Sequence, residues 1–268
     1  MSENLTASRP MRSVIMVSVR DDSYLPLAYR WLYKHHVPES ISQFSPYVTK
    51  YATYRALPLP PGAEDFGAYN WIMTEHYWLI DPFNNSGTCM PDGLSFAESF
   101  DAAYLEATRQ PTGGPLRGHE WQGSREGYHP TVFAFLPVFW EEDYKGCGRT
   151  IEDGANFRWL LALKYPAGVS ETEGEVWFRE VFAPAVAACP EVTRFVSSRV
   201  LAAPKTGPFK RVAEIWFENS RGWEATARRL RESLLPGLEP YRDLVSVFLL
   251  DRPESDHLRQ YCGYISTR

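Results

Sequence analysis

The sequence predicts an α+β protein of two similar halves, each running strand, helix, strand, strand, helix, strand. The main observation is a repeated segment. VTKYATYRALPLP at 48–60 and VTRFVSSRVLAAP at 192–204 share Val, Thr, Arg, Leu and Pro at matching places. A related strand follows each copy, EHYW at 75–78 and EIWF at 214–217. Repeats of this kind predict a tandem duplication of one structural unit.

The hydrophobic pattern places the elements of the first half. The opening segment alternates its side chains as a strand does, and the next segment carries apolar and aromatic residues at helical spacing. The PLPP run at 58–61 ends the second strand, because proline cannot donate to a strand ladder. Ser95 and Glu98 form a capping-box pattern, and Pro137 indicates an edge strand or a bulge. The predicted strands lie at 11–20, 48–57, 69–80 and 132–140, and the predicted helices at 24–37 and 95–110.

The second half follows the same order with shorter connections. A β-α-β-β-α-β unit is the ferredoxin-like arrangement, whose antiparallel sheet is covered by helices on one face. The other face must also be buried, so we expect the two sheets to close into one barrel-like core. We predict a first unit over 10–150 and a second over 151–268. The strands of the second unit are predicted at 157–166, 192–201, 209–219 and 244–251, and its helices at 170–189 and 220–234.

Composition argues against several classes of protein. A net charge of −5 disfavours nucleic-acid binding, which needs a basic surface. No apolar run reaches the roughly 20 residues that span a bilayer, so we expect no membrane segment. The four cysteines form no C-x-x-C pair and the N-terminus has no signal-peptide pattern, which predicts reduced thiols and a cytoplasmic protein.

Two insertions distinguish the first half from the second. Segments 81–94 and 111–131 are rich in Gly and Pro and show no regular period. Long loops in compact domains are commonly functional, and the aromatic and His content here favours a cover over a cavity. His119, Glu120 and His129 do not have the spacing of a known zinc pattern, so we predict no metal.

Several short motifs carry a resemblance to a known family. The pattern W-x4-H-x-P from Trp31 to Pro38, the strand opening VTKY with its later Arg55, and the TEHYW strand resemble the EthD-like branch of the dimeric α/β-barrel superfamily. The second half, with GEVWFREVFAP, VTRF and AEIWF, resembles the same unit. The resemblance covers nearly the whole chain outside 81–131. It implies a barrel built within one chain, and it implies membership of a group that includes cofactor-independent isomerases, cyclases, quinone-forming monooxygenases and haem-dependent enzymes.

Two histidines stand where the second half has apolar residues, His36 against Phe182 and His76 against Ile215. An imidazole in an apolar pocket can take up and return a proton near neutral pH. The resemblance also implies that a helix-end histidine lines the cavity. We predict that both residues are catalytic. The alternatives are a core histidine bonded to a backbone carbonyl for His36 and a surface-facing residue for His76.

Two tyrosines of the second strand are further candidates. Tyr51 matches Phe195, so only its hydroxyl is new, and we predict that it stabilises an oxyanion or enolate. Tyr54 matches Ser198 and is predicted to bond a substrate oxygen. The other predicted substrate-binding residues are Trp31, His35, Trp78 and His129.

Two charged residues recur unchanged, Arg55 as Arg199 and Glu75 as Glu214, and we expect them to form structural ion pairs. The period of a strand places Glu75 on the face opposite to His76.

These observations predict a cofactor-independent lyase, isomerase or cyclase that acts on a small hydrophobic or aromatic substrate. The alternatives are a cofactor-free quinone-forming monooxygenase, a haem-binding enzyme with an axial histidine such as His129, and a non-catalytic binding protein. A homodimer is also possible for a barrel of this kind.

Overall fold

The computed structural model shows an α+β protein with two antiparallel five-stranded sheets. The predicted α+β class is therefore confirmed. None of the helices within the described ranges is both long and apolar enough to cross a membrane. The described residues are 11–18, 25–38, 41, 48–68, 72–78, 131–138, 141–146, 156–165, 168–200, 209–238, 244–250 and 255–257.

The two sheets have matching strand orders, β10-β2-β3-β1-β4 and β5-β7-β8-β6-β9. The first four strands of each half therefore occupy matching places. The edge strands are exchanged: β5 follows β4 in the chain but joins the second sheet, and β10 follows β9 but joins the first. The strands are β1 (Met11–Ser18), β2 (Val48–Arg55), β3 (Ile72–Trp78), β4 (Thr131–Val138), β5 (Glu142–Lys145), β6 (Phe157–Lys164), β7 (Val192–Arg199), β8 (Phe209–Phe217), β9 (Val245–Leu250) and β10 (Ser255–Asp256).

The helix after the first strand of each half contains a π-helical turn. In the first half the α-helix Leu25–Trp31 continues into the turn Leu32–His36. In the second half the α-helix Glu171–Trp177 continues into the turn Phe178–Phe182 and then into the α-helix Ala183–Ala187. Such π turns are rare and frequently mark functional sites.

Two further helical segments complete the described structure. A 3-10 helix, Ala63–Phe66, lies between β2 and β3, and the α-helix Ser220–Leu238 lies between β8 and β9. The second half thus shows the predicted order of strands and helices. The helix predicted at 95–110 lies outside the described residues, so the repeat topology of the first half and the division at residue 150 stay predictions.

Two clusters of buried apolar side chains pack against the sheets. One lies between the sheets, where side chains such as Val14, Met73, Leu160 and Val247 meet. The other covers the outer face of the second sheet and is rich in aromatic rings. Its buried Phe and Trp members are Phe66, Phe157, Trp159, Phe178, Phe182, Phe195, Phe217, Trp223 and Phe248.

The sheets also contact each other along their edges. The backbone N–H of Leu57, just after β2, donates to the carbonyl of Phe248 in β9 at 2.8 Å. On the matching edge, Val138 of β4 forms a bridge with Val200 after β7. These contacts close the space between the sheets, as expected for a barrel-like core. The edge position of β4 agrees with the presence of Pro137, because an edge strand tolerates a missing donor.

Candidate functional site

The candidate site lies on the outer face of the first sheet, the face turned away from the second sheet. Ser13, His76 and Tyr51 form one row across three strands, because His76 of β3 lies opposite Ser13 of β1 and opposite Tyr51 of β2. All three residues are buried, and His76 is only 4% exposed. The row is therefore shielded from water.

Aromatic contacts hold the imidazole of His76. Its ring centroid lies 4.2 Å from that of Tyr51 and 5.6 Å from that of Trp78, both edge-to-face. The indole N–H of Trp78 donates to Ser13 Oγ at 3.0 Å, which fixes the Trp78 ring in turn. Three of the predicted site residues, His76, Tyr51 and Trp78, are thus brought together.

A second buried histidine, His257, contacts the same row. It directly follows β10, the strand that the second half contributes to the first sheet. His257 Nε2 lies 2.7 Å from Thr53 Oγ1, and the imidazole centroid lies 5.0 Å from the Tyr51 ring and 5.5 Å from the Tyr33 ring. The site therefore combines residues from both ends of the chain.

His257 was not predicted from the sequence, although a signal was present. Residues 141–145 read EEDYK and residues 254–258 read ESDHL, so Glu, Asp and a ring recur at the same spacing. In the structure these segments give the two exchanged edge strands, and Tyr144 occupies the place of His257. Tyr144 stacks on Phe195 with ring centroids 5.1 Å apart.

The matching row of the second half is entirely apolar. Trp159 lies opposite Ile215, and Ile215 lies opposite Phe195. All three are fully buried among aromatic side chains. Ser13, His76 and Tyr51 therefore replace an indole, an aliphatic side chain and a phenyl ring at matching positions. The first sheet carries polar and titratable groups where the second sheet has only core.

Tyr54 lies on the opposite face of the first sheet, between the two sheets. Its hydroxyl donates to Glu75 Oε2 at 2.9 Å, and its ring lies 4.6 Å from the guanidinium of Arg158. Burial, and then the charge of Glu75, raises the pKa of the Tyr54 hydroxyl well above its usual range. The sheet separates the Tyr54 side chain from Tyr51 and His76, and the predicted bond of Tyr54 to a substrate oxygen stays a prediction.

Glu75 and Tyr54 belong to a buried charged cluster between the sheets, formed by Arg12, Glu75, Arg158 and Glu214. Arg12 bonds both carboxylates, Glu75 at 2.7 Å and Glu214 at 2.5 Å. Arg158 lies 3.0 Å from Glu214 and 3.5 Å from Glu75. Burial would raise the pKa of Glu75, but the charges of Arg12 and Arg158 lower it well below its usual range. The predicted pairing of Glu75 and Glu214 with cations is present, and it joins the two halves.

Four of the predicted site residues are not described at the side-chain level. Trp31, His35 and His36 have only their backbone described, within the helix and π turn of residues 25–36. Phe182, the match of His36, packs near Phe195, the match of Tyr51, with centroids 6.4 Å apart. His129 lies outside the described residues. Within the described ranges, the His, Cys, Asp and Glu side chains form no group of three or more that could hold a metal ion.

The first half of the chain matches a known family model. The model described as "Chalcone isomerase N-terminal domain" matches residues 8–113, which is less than half of the chain. The matched segment contains Tyr51, His76 and Trp78, but neither His129 nor His257. No curated protein matches the chain.

Solved structures similar to the chain include chlorite dismutases and an EthD family protein. A mutant chlorite dismutase from Candidatus Nitrospira defluvii is 12% identical, with 96% of this chain and 97% of that chain covered and a TM-score of 0.48. The chlorite dismutase of the same organism in complex with imidazole is 10% identical, with 96% of each chain covered and a TM-score of 0.46. An ethyl tert-butyl ether d (EthD) family protein from Bacillus halodurans is 10% identical, with 36% of this chain and 97% of that chain covered and a TM-score of 0.30.

Proposed function

We propose that the protein is a cofactor-independent isomerase that moves a proton within an aromatic carbonyl compound of the chalcone type. The observation that carries the proposal is the buried row of Ser13, His76 and Tyr51 on the outer face of the first sheet. The match of residues 8–113 to the chalcone isomerase N-terminal domain supports it, because that segment includes the whole row.

The proposed reaction needs only proton transfer and one internal bond. A chalcone is an enone with an aromatic ring at each end, and a hydroxyl on one ring can add to the enone carbon remote from the carbonyl. A base removes the phenol proton, a C–O bond forms, and the electrons of the C=C bond move to the carbonyl as an enolate. The proton then returns to the carbon next to the carbonyl, so no atom is gained or lost.

The row offers a group for each part of this reaction. The imidazole of His76 can accept and return the proton, since an ordinary histidine changes its charge near neutral pH. The Tyr51 hydroxyl would donate to the enolate oxygen as charge develops there. Trp78 and Tyr51 provide ring faces and edges next to His76 that suit a planar aromatic substrate.

The replacement of Trp159 by Ser13 supports a substrate site at this place. Trp159 fills the matching position of the second half and contacts Phe66, Trp223 and Phe248. A serine is much smaller than a tryptophan, and a described group that contacts Ser13 is the indole of Trp78, one of the proposed substrate-binding residues. We propose that the halves arose by duplication, that the first binds substrate, and that the second retains the apolar core.

His36 is the second candidate base. The proposal for His36 rests on its place at the end of the first π turn and on its match with Phe182, which packs close to Phe195. If the halves are related by duplication, His36 is the residue of the first half that corresponds to Phe182. His36→Gln therefore belongs in the same series of variants as His76→Gln.

The test is turnover of a 2′-hydroxychalcone, followed by loss of its long-wavelength absorbance and by chiral chromatography of the product. His76→Gln should lower kcat by about 100- to 10,000-fold, the usual contribution of a general acid–base group. Tyr51→Phe, which keeps the ring, should lower kcat by about 100-fold or more. Both variants should melt near the wild-type temperature.

Ser197→Ala, which alters a buried polar side chain at the position matching Thr53, is the control and should leave kcat unchanged. Absence of turnover by the wild-type protein over a panel of hydroxychalcones would reject the isomerase. Retained activity in His76→Gln and His36→Gln would reject these bases. Tight flavonoid binding without turnover would favour the non-catalytic binding protein.

A further inference from the structure

We propose that the exchanged C-terminal strand completes the candidate site and that His257 is its second proton-transfer group. This inference rests on the proposed function and deepens it, because it adds a residue that lies far outside the segment matching the chalcone isomerase N-terminal domain. The active half would then depend on a side chain delivered by the other half.

The position of His257 is well defined by its neighbours. It is 1% exposed, and its Nε2 lies 2.7 Å from Thr53 Oγ1, itself fully buried. Thr53 has a hydroxyl that can donate or accept, so the contact suits either tautomer of a neutral imidazole. The rings of Tyr33 and Tyr51 flank the imidazole at 5.5 and 5.0 Å.

Tyr51 is placed between the two histidines. Its ring makes edge-to-face contacts with His76 at 4.2 Å and with His257 at 5.0 Å. A substrate held against the Tyr51 hydroxyl would therefore have an imidazole within reach on either side of that residue. One histidine can take the phenol proton while the other supplies the proton at carbon, and the two exchange roles for the reverse reaction.

In the second half, the region that matches the surroundings of His257 contains a network of ionised side chains. Arg211 bonds Glu175 through both Nε and Nη2, at 2.8 and 2.7 Å, and bonds Glu142 at 2.7 Å. It also donates to Ser197, the match of Thr53, at 3.2 Å. This network pairs the two carboxylates and the Ser197 hydroxyl with Arg211, so these described side chains are not suited to proton exchange near neutral pH.

The first half has neutral residues at those places. Register puts Ile72 at the position of Arg211 and Ser255 at the position of Glu142, and helix alignment puts Tyr29 at the position of Glu175. The described groups in contact with His257 include Tyr33, Tyr51 and Thr53, with His76 beyond Tyr51. Three positions that are ionised in the second half are therefore neutral in the first half, where Arg55 lies over the Tyr29 ring, and His76 and His257 are the described imidazoles at this place.

The test compares kcat against pH for His257→Phe, His257→Gln and Thr53→Val, with Tyr144→Phe as the matched control in the second half. We expect His257→Phe to lower kcat by about 100-fold or more and to remove one limb of the pH profile. Thr53→Val should shift the pH at which that limb occurs and should lower kcat by less than His257→Phe does. Tyr144→Phe should leave both limbs in place.

A structural role alone would not move the pH profile. If His257→Phe keeps both limbs and kcat within about threefold of wild type, the inference is overturned. If His257→Phe fails to fold, His257→Gln provides the same comparison, because Gln keeps a hydrogen-bonding group of similar reach to Thr53.

A second measurement separates this inference from the isomerase proposal. In protein labelled with 13C-histidine, the signals of His76 and His257 are assigned through the variants, and a flavanone is then added. Shifts of both signals would support the composite site even if no hydroxychalcone is turned over. A shift of His76 alone, or of neither, would overturn it.

Discussion

The buried charged cluster between the sheets predicts a large loss of stability on neutralising Glu75. Its carboxylate bonds Arg12 at 2.7 Å, Lys50 at 3.1 Å and the Tyr54 hydroxyl at 2.9 Å, and it is 1% exposed. In Glu75→Gln, Arg12 and Arg158 would share the carboxylate of Glu214, and Lys50 would lose the carboxylate that it bonds. The substitution therefore leaves buried positive charge uncompensated.

The magnitude follows from the burial of the cluster. Removal of one partner from a buried ion pair costs about 3–5 kcal/mol, and Gln retains part of the hydrogen bonding, so we expect a loss of about 3 kcal/mol. At about 2–4 °C per kcal/mol for a chain of this size, the melting temperature should fall by about 6–12 °C. Glu214→Gln should cost less, because Glu214 bonds only Arg12 and Arg158 among the described contacts.

The assay is urea unfolding followed by tryptophan fluorescence, together with thermal melting. Glu171→Gln is the control, because Glu171 is 44% exposed at the side chain and pairs with Arg199 and Lys210 on the surface. An exposed pair contributes about 0–1 kcal/mol. If Glu75→Gln destabilises the protein no more than Glu171→Gln does, the cluster is not a net source of stability and the reasoning fails.

The pH dependence of stability gives an independent check. The pKa of Glu75 in the folded protein lies below its ordinary value of 4.5. Its stabilising contribution is therefore complete above that value and is lost as the pH falls towards the folded pKa. The difference in unfolding free energy between wild type and Glu75→Gln should accordingly be constant near neutral pH and should shrink below about pH 4.

Two other substitutions test the aromatic core on the outer face of the second sheet and the cap of the helix Glu171–Trp177. Phe66→Ala should lower the free energy of unfolding in urea by about 3–5 kcal/mol, because Phe66 is 2% exposed and its ring contacts Trp159 and Trp223. Phe66→Leu should lower it far less, and equal losses in the two variants would contradict the packing argument. Ser170→Ala should lower the free energy of unfolding by about 1 kcal/mol, because it removes the hydroxyl that accepts a hydrogen bond from the backbone N–H of Glu173 in the capping box. No measurable change would show that the cap is dispensable.

Much of the first sheet could be predicted from local pattern. The strands at 11–20, 48–57 and 69–80 contain the observed β1, β2 and β3, because alternation at period two is a local property. The comparison of repeated segments also singled out His76 and Tyr51, which the structure places side by side. That comparison works because the register of a strand fixes which residues share a face.

The face on which a side chain lies and its long-range contacts are harder to predict than the position of a strand. Tyr51 and Tyr54 are three residues apart in one strand, so period two already places them on opposite faces. Arg199 pairs with a carboxylate, Glu171, and Arg55 lies over the Tyr29 ring at 4.4 Å, while the ion pair expected for Arg55 stays a prediction. A cation–π contact of this kind leaves no charge pattern in the sequence.

The exchanged strands could not be found from hydrophobic pattern at all. β10 has only two residues and β5 only four, and each pairs with a strand of the other half. Such pairings depend on where the chain returns in space and not on local propensity. A comparison of EEDYK with ESDHL was the available signal, since it matches Tyr144 with His257.

The two sheets share one strand order but bury different chemistry on their outer faces, and the difference has an energetic consequence. Burial of a polar side chain costs free energy of desolvation that its hydrogen bonds must offset, and the first sheet buries Ser13, Thr53, His76 and His257 on that face. The aromatic core of the second sheet and the charged cluster between the sheets supply stabilisation that can offset this cost. If the first sheet is the active one, replacement of its buried polar groups by their apolar matches should raise stability and remove activity together. His76→Ile, which introduces the side chain that Ile215 has at the matching position, is the substitution in which these two effects should be seen most directly.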